Sequence, residues 1–257
     1  MKSRQKSLIT LLLVIVFIAF SNSLVKAQEV LTIKKTDNTV ISIPTSDIVT
    51  ITFGSTSPMS DGNTVTDIDG NTYQTVKIGY QVWMTENLKT TRYNNGGQIP
   101  NIKDKQAWAN STSGAYCLYD NSSGIKDLFG VLYNWYAVST DKLCPVGWRV
   151  PTDDDWTSML KPLGVLAGAK LKEAGTANWK SNTDMVTNET KFTALPGGTR
   201  YGSGSFTSIG TQGTFWTSTP NGEKKEAVYR VIVDYNSSVA RYMFPKSSGL
   251  SVRCIKE

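Results

Sequence analysis

Two stretches of this chain crowd carboxylates together: Asp153-Asp154-Asp155, and the pair Asp67 and Asp69 within Asp67-Ile-Asp-Gly-Asn71. Paired carboxylates can act as general acid and base across a cleft, or hold a hard cation. The spacing points elsewhere in both cases. Asp67 and Asp69 would open a calcium loop only if the remaining EF-hand ligands followed, and they do not. The expected reading is an Asp-Gly turn. The three aspartates follow Thr152, and Thr152-x-x-Asp155 is a capping box with acids in the first helical turn. Successive helical positions point in different directions, so a helix start is expected there and not a metal site. A carboxylate-dependent glycoside hydrolase, with two acids ~5–10 Å apart across a cleft, stands as the third-ranked reading, because sequence cannot bring two such residues together.

No histidine occurs in the 257 residues. That removes the commonest general base and the commonest metal ligand. A Ser-His-Asp triad, a Cys-His pair and a His-based zinc site are excluded with it. Of the three cysteines, Cys117, Cys144 and Cys254, the odd count leaves one thiol over. Cys117 lies in the alternating, strand-like run 114–119 and reads as a small buried hydrophobe without a basic activator. The glycines have no phosphate-loop spacing ahead of a helix. The expectation is a protein with no catalytic residue, no metal and no cofactor.

Lys2, Arg4 and Lys6 precede the apolar run LLLVIVFIAF at 11–20, followed by small residues and Val25-Lys26-Ala27. This is the pattern of a secretory signal cleaved after Ala27, with an apolar core short of the ~20 residues that span a bilayer. No cysteine stands near the cleavage site, so no lipid anchor is expected. The mature chain is then exported to the periplasm, the outer surface or beyond, an oxidising setting for its cysteines. The formal charge of +6 includes four cations and no acid from the first 27 residues, which leaves 23 basic and 21 acidic residues, a balance of +2. So balanced a chain has no electrostatic footprint for nucleic acid.

Residues 28–53 read as a β-rich segment. VLTI at 30–33 and TVISI at 39–43 flank Asp37-Asn38 as a hairpin, and IVTITF at 48–53 is a third strand. Residues 54–63 read as a linker. From 64 to 257 aromatics, glycines and turn residues crowd together, with all seven tryptophans between Trp83 and Trp216. Two main helices are expected. One covers 127–138, with Leu128, Val131, Leu132, Trp135 and Tyr136 at helical spacing. The other starts at the Thr152 cap and buries Trp156, Met159, Leu160 and Leu163. Strands are expected at 73–78, 81–84, 213–218, 227–233, 238–244 and 250–255.

Six stretches, in order, resemble the Fibrobacter succinogenes major paralogous domain, a family of bacterial exported proteins: DIDGNTYQTVKIGYQVWMTENLKTTRYNNG, DLFGVLYNWYAV, LCPVGWRVPTDDDW, GAKLKEAG, FWTSTP and GLSVRCIKE. They span roughly Asp67 to Glu257. The segment LTIKKTDNTVISIPTSDIVTITF resembles a lead-in of exported proteins of Bacteroidetes-type bacteria. The resemblance implies an α+β, C-type-lectin-like domain of two main helices and twisted antiparallel sheets. It also supports a Cys144–Cys254 disulfide with Cys117 left free. WRVPTDDDW and SVRC are similar to the RLPTEAEW and GFRC motifs of formylglycine-generating sulfatase-modifying enzymes. Those enzymes need two reactive cysteines, and only Cys254 matches here. The Glu-Pro-Asn, Gln-Pro-Asp and Trp-Asn-Asp motifs of calcium-dependent lectins are absent.

The leading functional expectation is a non-catalytic binding module for a glycan or a surface protein. In such folds the loops between later strands recognise ligands, which here points to residues 179–215. Arg200 and Tyr201, freed toward solvent by adjacent glycines, are the candidate ligand-binding residues, offering a hydrogen-bond fork and a stacking face, with Arg241 on a nearby strand. At least five of the seven tryptophans are assigned to the core. The alternative is a structural subunit whose residues 28–53 add a strand to a neighbour's sheet.

Overall fold

The structure is a computed structural model that describes residues 30–34, 38–44, 64–181, 185–222 and 224–257. The expected signal segment, the strand at 48–53 and the linker at 54–63 lie outside the described residues. The chain divides into two compact units, residues 1–54 and 55–257. In the first, β1 (Val30–Lys34) and β2 (Val40–Pro44) form the expected antiparallel hairpin. Val40 and Ile41 of β2 are exposed.

The second unit opens with β3 (Thr64–Thr66), β4 (Thr72–Ile78) and β5 (Gln81–Met84), then α1 (Lys105–Asn110), β6 (Tyr116–Cys117) and α2 (Lys126–Phe129). β7 (Leu132–Asn134), α3 (Trp135–Val138), β8 (Trp148–Arg149), α4 (Asp153–Leu163) and α5 (Ala167–Leu171) follow. The rest is strand: β9 (Gly197–Arg200), β10 (Phe206–Ile209), β11 (Gln212–Pro220), β12 (Glu226–Val233), β13 (Val239–Pro245), β14 (Gly249–Leu250) and β15 (Ile255–Lys256). Its sheets run β3-β4-β5-β15-β8, β10-β9-β14-β7-β6 and β11-β12-β13, and every pairing between these strands is antiparallel. The architecture is α+β.

The helix expected at 127–138 is corrected: it is two single turns, α2 and α3, around strand β7. The break is at Gly130, whose φ of 74° suits glycine and where a Cβ would stand 2.8 Å from both the Asn87 Cβ and the Leu88 carbonyl oxygen. That close approach lets Val131 donate to the Leu88 carbonyl and sends β7 into the sheet beside β14. Tertiary pairing overrides a helical apolar pattern. The second helix starts at the expected cap, but of its expected buried stripe Leu160 and Leu163 are only partly buried. In α4 the Thr152 hydroxyl accepts from the Asp155 amide, the Asp155 carboxylate accepts from the Thr152 amide, and Trp156 and Met159 are buried.

Two apolar clusters make most of the core. One gathers Tyr73, Met84, Leu88, Tyr133, Trp135, Trp216 and Leu250; the other Trp83, Trp156, Trp179, Phe192 and Phe215. In the second, Trp156 meets Trp83, Phe192 and Phe215 at centroid distances of 5.3, 5.7 and 5.5 Å. All seven tryptophans are buried. The disulfide joins Cys144 to Cys254, with Cα atoms 5.9 Å apart and a sequence separation of 110 residues. By the chain-entropy account a loop of about that length contributes at most ~4.7 kcal/mol. It ties the turn before β8 to the approach to β15, which pairs with β8. Cys117 is free and buried, and burial pushes its thiol up to about 12.

Candidate functional site

The acidic clusters are committed to the scaffold. Asp155 receives a two-pronged contact from Arg149, at 2.5 and 3.0 Å, besides closing the capping box. Burial would raise its carboxyl pKa, but Arg149 and Thr152 hold it below the usual range. Asp153 sits between two arginines, Arg230 at 2.6 Å and Arg241 at 2.6 Å, and Asp154 faces solvent. Asp67 caps its own turn by accepting from the amides of Asp69 and Asn71 and from the Tyr73 hydroxyl at 2.6 Å. Asp69 accepts from the Thr91 amide and from Arg92, both at 2.5 Å. Burial pushes the Asp69 carboxyl upward, and these donors outweigh it and bring it down to about 2. Among the described residues no group of three or more His, Cys, Asp or Glu side chains could hold a metal ion.

Arg200 is not where its neighbouring glycines suggest. It is fully buried, in a β9 that pairs with β10 on one side and β14 on the other. Its guanidinium lies between the rings of Trp108 and Phe206, 4.4 and 4.8 Å from their centroids. It donates to the carbonyls of Ile102, Lys103, Asp104 and Gly204 at 2.5, 2.9, 3.3 and 3.2 Å. An arginine with this many carbonyl acceptors is satisfied inside the protein, and the expectation that it reaches solvent is corrected. Two more cations follow the same plan. Lys172 donates to the carbonyls of Val233, Asp234 and Asn236 at 3.1, 3.3 and 3.1 Å. Arg253 donates to Phe192 O, to Thr193 O at 2.8 Å and to the Asn87 side chain at 3.1 Å. Burial lowers the Arg253 guanidinium to about 9, which leaves it charged at neutral pH.

Arg241 and Tyr201 lie at the surface but do not act together. Arg241 extends from β13 toward the start of α4, where it meets Asp153. Side chains alternate across a strand, so Tyr242 and Phe244 stand on the other face. The β11-β12-β13 register sets Trp216 opposite Tyr229, Tyr229 opposite Tyr242, and Ala227 opposite Phe244. The rings form a chain: Trp216–Tyr229 at 6.3 Å, Tyr229–Tyr242 at 6.2 Å, Tyr229–Phe244 at 5.3 Å and Phe244–Tyr201 at 5.7 Å. Tyr201 enters from the tip of the β9–β10 hairpin, where its amide donates to Ser205 O and its carbonyl accepts from Gly204 N. Trp216 is buried beneath, Tyr229 and Phe244 are half-buried, and Tyr201 and Tyr242 are 43% and 56% exposed. The Tyr229 hydroxyl is pushed up by burial and then by the neighbouring Tyr242 and Tyr201 phenols.

This aromatic face is the best-formed candidate site among the described residues. Of the three residues singled out from sequence it holds one, Tyr201. Tyr229, Tyr242 and Phe244 were missed. The available signal was the two-residue spacing of Tyr242 and Phe244, which sets both rings on one face of a strand. Elsewhere in the expected 179–215 region, Trp179 is buried with its ring N–H donating to Ala194 O, and residues 182–184 lie outside the described residues.

Buried tryptophans, an interior disulfide and short antiparallel sheets beside the capped helix α4 define a compact α+β module in residues 55–257. The chain matches the family model of the Fibrobacter succinogenes major domain over residues 76–256, and it belongs to that family. No curated protein and no solved structure is detectably similar to it.

Proposed function

We propose that this protein is an exported, non-catalytic binding module with a C-type-lectin-like fold, whose ligand surface is the aromatic face of Tyr201, Tyr229, Tyr242 and Phe244. The observation that carries the proposal is the exposure of two tyrosines on a continuous run of rings. Aromatic residues that build a core are covered, as all seven tryptophans are. Tyrosine at a surface joins an apolar face to a polar tip, which suits sugars and protein partners alike. The basic start and short apolar stretch of residues 1–27 support export without a lipid anchor. The order of the six motifs, and the terminal strand β15 set between β5 and β8, support the lectin-like fold. The test is a glycan-array and surface-protein screen with and without calcium, repeated with Tyr201→Ala and Tyr242→Ala. Binding lost at an unchanged melting temperature supports the site. Ligands that both variants bind as well as the parent would refute it.

A second reading rests on β1–β2. A two-stranded hairpin that exposes Val40 and Ile41 cannot bury its own apolar surface, which suits a strand lent to another subunit. Concentration-dependent assembly that vanishes on deleting residues 28–53 would favour this reading over the first.

A further inference from the structure

The β12–β13 pair carries two couples of opposed cations, and among the described residues only one has an anion. Arg230 and Arg241 face each other in the register, and the Asp153 carboxylate lies between them, touching both at 2.6 Å. One step beyond the rung of Glu226 and Pro245, the Lys246 amide donates to the Lys225 carbonyl at 2.9 Å, so these two lysines are opposed as well. Both lie one residue past the strand ends, and the alternation continued by that one step sets them on the other face of the ladder, in line with Ala227–Phe244 and Tyr229–Tyr242. The Lys246 ammonium lies 4.7 Å from the centroid of Trp135, a ring of the core cluster against which Tyr229 and Phe244 also pack. Neither lysine takes part in any ion pair formed among the described residues. Lys225 is exposed and Lys246 half-buried. Like charges directly opposite on a sheet are destabilising. The arginine couple shows how this sheet offsets that cost from within, whereas the described residues supply no carboxylate to the lysine couple, which leaves both ammonium groups open to an anion from solution.

We infer that the aromatic face with Lys225 and Lys246 binds an acidic polysaccharide, its sugar ring stacked on Tyr242, Phe244 and Tyr201 and its carboxylate or sulfate between the two ammonium groups. The inference rests on the binding-module reading and names its ligand class. Lys246 lies two residues beyond Phe244, ~6.7 Å along an extended chain, about the reach from a stacked pyranose to an acidic substituent. The Tyr201, Tyr229 and Tyr242 hydroxyls offer partners for sugar hydroxyls. An acidic peptide fits less well. Added as a strand at the β13 edge, it would lie beside the ladder, whereas the rings and lysines stand on its face.

The experiment is affinity electrophoresis and calorimetry of the purified protein with polygalacturonate, alginate, neutral galactan, hydroxyethylcellulose and poly-glutamate. Acidic polysaccharides should bind in preference to neutral ones, more weakly at high salt as screening sets in. Lys225→Gln and Lys246→Gln should each weaken that binding by about fivefold, the upper worth of one exposed ion pair, with melting unchanged or slightly raised because each removes one of two opposed charges. Tyr242→Ala should weaken it too. Equal binding of neutral glycans, lost in Tyr242→Ala but unaffected in both lysine variants, overturns the acidic class and leaves the binding face standing. Preference for poly-glutamate overturns the polysaccharide and makes the ligand an acidic peptide. Retention by none of the five overturns this inference, while the wider screen with the tyrosine variants still decides the binding-module reading.

Discussion

The interior of the main domain and the open face of β12–β13 are assembled from the same two materials, aromatic rings and cations. Inside, Arg200 between Trp108 and Phe206, and Arg253 beside Phe192, give their N–H donors to carbonyls or an amide oxygen and are shut away from water. Outside, Lys246 beside Trp135 and Tyr242 beside Tyr229 have the same kinds of neighbour without closure. Composition therefore does not separate scaffold from site in this protein. What separates them is whether each cation is answered and each ring covered within the chain.

Breaking the interior should have the largest effect. Arg253→Met keeps most of the apolar stem but strips the donors from Phe192 O, Thr193 O and the Asn87 side chain. Leaving buried groups unpaired costs about 1–3 kcal/mol each. With three acceptors left unpaired, the expected loss is about 3 kcal/mol or more, read from the denaturant midpoint at constant m-value. A loss under 1 kcal/mol would put the guanidinium in contact with water and remove the contrast.

An intermediate effect is expected from an answered charge nearer the surface. Asp69 has its folded pKa depressed to about 2, against about 3.9 for a free aspartate. A depressed acid contributes stability that is present above the unfolded pKa and lost as pH falls through the folded one. The parent should therefore lose melting temperature between about pH 4 and pH 2, and Asp69→Asn should flatten that limb. An unaltered acid limb in the variant would show that the Arg92 and Thr91 contacts do not hold the carboxylate in solution.

The smallest effect is expected at the open face. Tyr201→Ala and Tyr242→Ala should change stability by about 0.5 kcal/mol or less, as for surface positions in general. A fall above about 2 kcal/mol, as for a truncated core aromatic, would make these rings part of the scaffold and end the comparison.

What sequence reveals here is mostly local. The α4 capping box, the turn built on Asp67 and the strands around 227–244 depend on neighbours a few residues away, and each stands as expected. The Cys144–Cys254 link spans far more chain but is carried by a family pattern. Arg200 was misread because its acceptors at Ile102, Lys103 and Asp104 are about a hundred residues distant, and flanking glycines look the same beside a buried arginine as beside an exposed one. The helix read at 127–138 failed for the same reason, since Gly130 breaks it to admit Asn87 and Leu88. Tyr201 was recognisable as a ring in a turn. Its company of Phe244, Tyr229 and Tyr242 required the strand register.

The three interior cations have a consequence for how this scaffold can change over time. Arg200 holds 102–104, Lys172 holds 233–236 and Arg253 holds 192–193, nearly always through main-chain oxygens. Every amino acid supplies a carbonyl. Most side chains in the gripped segments can therefore be exchanged without loosening the grip, so shape is inherited separately from surface chemistry. A library randomised at exposed positions of those segments, with Arg200, Lys172 and Arg253 left in place, should keep its fold across widely different surfaces.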